Sequence, residues 1–147
     1  MLKIETTRFG AIKIEEEKII AMPFGMLGFP EDKRFVILQH KVDSPFFWYQ
    51  SVDNPTLAFV ITSPLLFWPD YEVDVGDLIE EMSWDREEKD GYDLYVVVSI
   101  PKGSPEKITA NLIGPILVNT KTRQAVQMVI PDSTYSHRSP IIRETSG

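Results

Sequence analysis

Carboxylates are the commonest groups in this chain with chemistry to offer, and they are concentrated. Between Asp70 and Asp93 stand eleven acids: Asp70, Glu72, Asp74, Asp77, Glu80, Glu81, Asp85, Glu87, Glu88, Asp90 and Asp93. Paired carboxylates can share general acid and base work where a cleft drives their pKa values apart, and no such cleft is visible in the sequence. Asp70-x-Glu72-x-Asp74, with Glu81 at the twelfth place, echoes a calcium loop. Its sixth place needs glycine for the sharp turn and holds Val75, and a helix pattern already begins there. The chain has no cysteine, which excludes disulfides, thiolate catalysis and thiolate metal sites. It has no Gly-x-Ser-x-Gly elbow, and its two histidines, His40 and His137, read as surface residues. Pro23-Phe24-Gly25-Met26-Leu27-Gly28 carries glycine but lacks the Lys-Ser/Thr ending and the following helix of a phosphate cradle. Neither a catalytic residue, a metal site nor a cofactor is expected.

The acids are better read as a surface. Only Arg86 and Lys89 oppose them, so residues 70–93 carry −9 and the rest of the chain +2, within a net charge of −7. Phosphate binding is driven by Lys and Arg, so direct nucleic-acid binding is disfavoured. A basic protein partner is favoured, because the field would steer its approach. With 147 residues, 43% hydrophobic and 25% charged, the composition fits one globular domain. The N-terminus alternates apolar and polar and reads as a strand, not a leader. The longest apolar stretch, Leu57 to Pro69, is interrupted by Thr62, Ser63 and Pro64 and falls short of the roughly 20 residues a bilayer requires. No membrane association is expected, and a cytoplasmic protein, monomeric when free, is the simplest reading.

The elements that must position these groups are mostly strands. Residues 2–6 and 11–15 alternate with period two around the Phe9-Gly10 turn. Further strands are expected at 35–39, 46–51, 58–62, 94–100, 108–112, 116–119 and 125–130, with Pro or Gly in nearly every gap. In the aromatic strand, alternation places Phe46 and Trp48 on one face and Phe47 and Tyr49 on the other. Residues 42–60 contain no Lys or Arg, so these rings read as core and not as a base-stacking platform. One helix is expected after Asp74 as N-cap, with Leu78, Ile79 and Met82 as its apolar stripe. The fold class is therefore mainly β: a single-domain antiparallel barrel or sandwich-like fold with one short helix, spanning 1–135, followed by a flexible tail over 136–147.

Residues 109–119, TANLIGPILVN, hold two strand-forming runs broken by Gly114-Pro115. Pro115 lacks a backbone donor and Gly114 permits unusual dihedrals, so the ladder must bend, bulge or lie at an edge here. Asn111 and Asn119 can each bond backbone groups, which suits pinning the bend at both ends. The pattern Asn111-Leu112-x-x-Pro115-Ile116-x-x-Asn119, with Thr122 and Gln127 following, resembles the C-terminal signature of the flagellar assembly factor FliW family. Thr6-x-x-Phe9-Gly10-x-Ile12, then Ile19-Ile20 with Pro23-x-Gly25 and Gly28-Phe29, resemble its earlier blocks. So do Pro45 to Ser51 and Phe67-x-Pro69-Asp70-Tyr71-Glu72. The resemblance covers Ile4 to Tyr135; Met22, Met26-Leu27, Gly114 and Ala125 depart from it by apolar or small swaps.

That resemblance implies a non-enzymatic factor with two partners, newly made flagellin and the translational repressor CsrA, whose RNA binding it antagonises. The acids Asp70, Glu72, Asp74 and Asp77 are then expected to face CsrA. Phe24, Met26, Leu27, Phe29 and Ile116 are expected to offer an apolar grip. Asn111, Leu112, Pro115, Asn119 and Gln127 are expected to be structural. The alternative from residue types alone is a small-molecule-binding β-barrel or minor enzyme.

Overall fold

The structure, a computed structural model, describes residues 1–39, 41–84, 91–130 and 135–141. The strands are β1 (Leu2–Thr6), β2 (Gly10–Ile14), β3 (Ile20–Ala21), β4 (Arg34–Leu38), β5 (Phe46–Ser51) and β6 (Ala58–Thr62). The single α-helix among the described residues, α1 (Gly76–Glu81), follows, and then β7 (Tyr92–Ser99), β8 (Thr109–Ala110), β9 (Ile116–Asn119), β10 (Gln124–Gln127) and β11 (Ser139–Pro140). Sequence periodicity locates all the longer strands to within a few residues. It misses the two-residue strands β3 and β11, which are too short to show a period.

Strands β7-β6-β5-β4-β3-β10-β9 hydrogen-bond in that order, and β9 returns to β7, so the sheet closes into a barrel. Closure abolishes edges that would otherwise invite aggregation. The seam between β3 and β10 is parallel and rests on one pair, Gln124 with Ala21, reinforced by the Ala21 amide donating to the Arg123 carbonyl at 2.8 Å. Every other strand pairing is antiparallel.

The barrel lumen is filled by side chains. Ile20, Met22, Met26, Phe35, Tyr49, Ile61, Ile116, Val118 and Ala125 form one buried cluster. Phe35 stacks face to face on Tyr49 with centroids 4.6 Å apart, an arrangement that adds to the area both rings bury. Phe47 points inward with Tyr49, as alternation requires, while Phe46 and Trp48 face out.

Three outer layers cover the barrel. The β1–β2 hairpin lays Ile4 and Ile14 on Val36 and Val52; its tip turns through Gly10 at φ 68°, with Thr6 Oγ1 donating to the Gly10 carbonyl. Arg8, at that tip, lies 4.2 Å from the Trp48 ring centroid, a cation–π contact. The cation missing from residues 42–60 thus comes from far away in sequence and lands on an outward ring. Residues 64–73 cover β6 and β7, burying Tyr71 against Val96, Val98, Ile108 and Leu112.

Helix α1 forms the third layer, pressing Ile79, with Trp84 beyond its end, onto Leu117 and Val126. All four residues of β9 are buried for this reason: Ile116 and Val118 face the lumen and Leu117 faces α1. The helix starts later than expected. Its N-cap is Val75, without a side-chain bond, and Asp74 Oδ1 instead accepts the Gly76 amide at 3.0 Å. The short reach of an aspartate to its own i+2 amide favours this turn over a cap at Asp74. At the other end, Ser83 adopts φ 58°, its amide bonds the Glu80 carbonyl and the Trp84 amide bonds the Ile79 carbonyl. This paired closure satisfies the last helical acceptors and swings Trp84 against the sheet.

The chain remains paired beyond Tyr135, where the domain was expected to end. Strand β11 pairs with β8 and Ile141 is buried, its amide bonded to the Ile108 carbonyl. No helix among the described residues is long and apolar enough to cross a membrane.

Candidate interaction surfaces

The Gly114-Pro115 break is a large bulge. Along one side of β7 run β8 and then β9: Val98 pairs with Ala110 and Tyr95 with Ile116. Residues 111–115 therefore oppose only Val96 and Val97. Asn111 Oδ1 accepts the amides of Ile113 and Gly114, both at 3.1 Å, and holds the near end. Space is tight at Gly114: a Cβ would sit 2.9 Å from Asn111 Nδ2 and 3.2 Å from Gln127 Nε2, so both bonded side chains would have to shift.

Asn119 does not pin the far end. Its Oδ1 accepts the Lys121 and Thr122 amides at 3.0 and 3.2 Å, fixing the β9–β10 turn. The reason is reach: Asn119 stands at the last position of β9, next to the turn and remote from the bulge. Gln127 does the expected work, donating from Nε2 to the Gly114 carbonyl at 2.9 Å. Met128 adds a backbone bond to the Pro115 carbonyl. Leu112 is buried beneath the bulge, and its carbonyl accepts the Tyr71 hydroxyl at 2.7 Å.

Gln127 also couples the bulge to the loop over residues 22–30, because its Oε1 accepts the Leu27 amide at 2.8 Å. That loop is tightly built. Gly25 lies at φ 66°, and a Cβ there would come within 2.5 Å of the Phe29 carbonyl oxygen. The Phe29 amide bonds the Met26 carbonyl. Met26 is 2% exposed and belongs to the barrel core, so its side chain is not available to a partner. Ile116 is equally a core residue. Both corrections follow from closure of the barrel, which a linear sequence does not display. What remains outside is Phe24 at 68%, Leu27 at 54% and Phe29 at 40% exposure, with Phe29 set edge-on against Phe59. Three large apolar side chains exposed within six residues of one loop are candidates for an interaction surface.

The acids Asp70, Glu72, Asp74 and Asp77 are all exposed. Their segment is anchored from behind. Tyr71 is buried between them, its ring 4.7 Å from that of Tyr135, and the Glu72 amide donates to the Tyr135 hydroxyl. Burial pushes the Tyr71 phenol well above its ordinary range, with Tyr135 adding to the effect. The carboxylates are thus displayed by a fixed backbone. Asp85, Glu87, Glu88 and Asp90, in the same acidic run, lie outside the described residues, as does His40; His137 is exposed. Sequence reasoning had no signal for Arg8 on Trp48 or for the Leu27–Gln127 bond.

The chain resembles known proteins along nearly its whole length. A family model described as FliW protein matches residues 3–141. The chain is 38% identical over 144 residues to the flagellar assembly factor FliW of Magnetococcus marinus, covering 98% of this chain and 87% of that one. It is 40% identical over 139 residues to the flagellar assembly factor FliW of Bacillus subtilis, covering 94% and 95%. A crystal structure of the flagellar assembly factor FliW superimposes with a TM-score of 0.86 at 32% identity, over 98% of this chain and 99% of that one. The family model and the whole-chain similarity agree, and the chain belongs to the FliW family of flagellar assembly factors.

Proposed function

We propose that this protein is a non-enzymatic, cytoplasmic assembly factor that holds newly made flagellin and, when free of it, binds the translational repressor CsrA. Binding CsrA would antagonise its RNA binding, so the level of free flagellin would set flagellin translation. The observation that carries this reading is the row of exposed carboxylates at Asp70, Glu72, Asp74 and Asp77 on an anchored segment. An RNA-binding repressor must present basic surface, and a fixed acidic row is complementary to it. The rigid apolar loop with Phe24, Leu27 and Phe29 is the surface we assign to flagellin. The packed lumen supports a binding role on the outside of the barrel and gives no support to a ligand-holding one.

Calorimetric titration with CsrA, then with flagellin already bound, tests the reading. We expect tight binding of each alone and loss of CsrA binding once flagellin is present. The apolar surface is tested with Phe24→Ser and Leu27→Ser, which are exposed; Met26→Glu or Ile116→Glu would place a carboxylate in the core and report on folding instead. Absence of binding to either partner would refute the reading.

A further inference from the structure

Strand β6 leaves β7 after the Thr62–Val96 pair, because Pro64 opens a 3-10 turn over Pro64–Leu66. Between that turn and the first half of β7 lies a cleft of about 260 Å³, lined by Ser63, Leu65, Tyr92, Asp93, Leu94 and Tyr95. It is smaller than the roughly 300–1,000 Å³ of ordinary small-molecule pockets, a size that suits one long side chain. Its walls are largely aliphatic and aromatic, and its single charged group among the described residues is the exposed carboxylate of Asp93. The charge of Asp93 is felt inside: the Tyr95 phenol is pushed up, first by burial and then by Asp93, with Arg123 opposing. Leu65, in its wall, is 52% exposed.

A cleft with apolar walls and one carboxylate complements a side chain that is apolar along its stem and cationic at its end. Arginine fits better than lysine, because its planar guanidinium can also stack on tyrosine rings. We propose that this cleft receives one arginine side chain of a protein partner, with its stem on Leu65 and Leu94 and its guanidinium on Asp93. The proposal rests on the reading that this chain works by binding proteins, and not on which partner is bound.

The test is an amide chemical-shift titration of the full chain at low ionic strength with N-acetyl-arginine methylamide, and with its norleucine analogue as control. We expect saturable shifts at Ser63, Leu65, Leu94 and Tyr95 with the arginine probe only. Asp93→Asn, an exposed and isosteric change, should weaken the arginine probe about two- to five-fold, as for an exposed ion pair. Equal binding of the norleucine probe, or unchanged affinity in Asp93→Asn, would overturn the proposal. Shifts confined to residues 70–77 would overturn it too, while leaving the acidic row intact as a partner surface. Arginine uptake by the cleft together with failure of the CsrA titration would sink the proposed function and not the cleft.

Discussion

The backbone amide of Leu27 donates to the side-chain carbonyl of Gln127 across 100 positions of sequence, at 2.8 Å. The same Gln127 donates to the Gly114 carbonyl. One amide group therefore ties the apolar loop to the bulge and satisfies a backbone group on each.

Replacing Gln127 by Leu keeps the volume and removes both bonds. Loss of about 1–2 kcal/mol is expected, since the part-buried Gly114 carbonyl loses its donor while the Leu27 amide, in an exposed bond, can turn to water. Urea unfolding measures the loss. Hydrogen exchange at the Leu27 amide should accelerate by more than exchange in the β4–β5 ladder, because the damage is local to the loop. Uniform acceleration would show that the tie is not what holds the loop.

Gly114→Ala should cost about 1–2 kcal/mol, because the new methyl crowds Asn111 Nδ2 at 2.9 Å. Asn111→Ala should cost a similar amount by orphaning the Ile113 and Gly114 amides. The pair should be non-additive. With Asn111 truncated, the methyl at 114 loses its tightest contact and keeps only the one to Gln127 Nε2, so the double variant should be less destabilised than the sum by roughly 0.5–1 kcal/mol. Strict additivity in a double-mutant cycle would mean that the clash lies elsewhere.

The Tyr49 phenol is fully buried, and burial raises its pKa far above the ordinary 10.0, with Arg123 opposing and Tyr95 reinforcing. The folded state therefore keeps a proton that the unfolded chain releases near pH 10. Its contribution is fully present below that pH and is lost as pH rises, at about 1.4 kcal/mol per pH unit for one group. Tyr49→Phe should lower the slope of stability against pH above 10 by about that amount while leaving neutral-pH stability little changed. Denaturant midpoints from pH 9 to 11.5 read both; parallel slopes would show that Tyr49 ionises without unfolding.

Reversing Asp70, Glu72 and Asp74 to lysine should leave the barrel intact, since all three are exposed, at a cost of about 1 kcal/mol for the lost Asp74–Gly76 turn bond. If the acidic row steers CsrA, association should slow by about ten-fold or more at low salt, with the difference shrinking as ionic strength rises. Stopped-flow kinetics over a salt series measures this. An unchanged on-rate at low salt would remove the acidic row from the mechanism.

The sequence by itself determined the strand content, the faces of the aromatic strand, a break in the ladder at Gly114-Pro115 and the family, because these are local: alternation, turn residues and a linear signature. The acidic row was legible for the same reason. Tertiary closure decided the rest. It buried Met26 and Ile116, which a linear reading placed on a partner surface, because a barrel lumen claims side chains from every strand around it. It gave Gln127 the bond that Asn119 was expected to make, since reach from the end of β9 favours the neighbouring turn. It brought Arg8 over Trp48 and opened the cleft beside Asp93 where β6 turns away. Each of these depends on residues tens of positions apart meeting in space, and no period or spacing in a linear chain encodes that meeting.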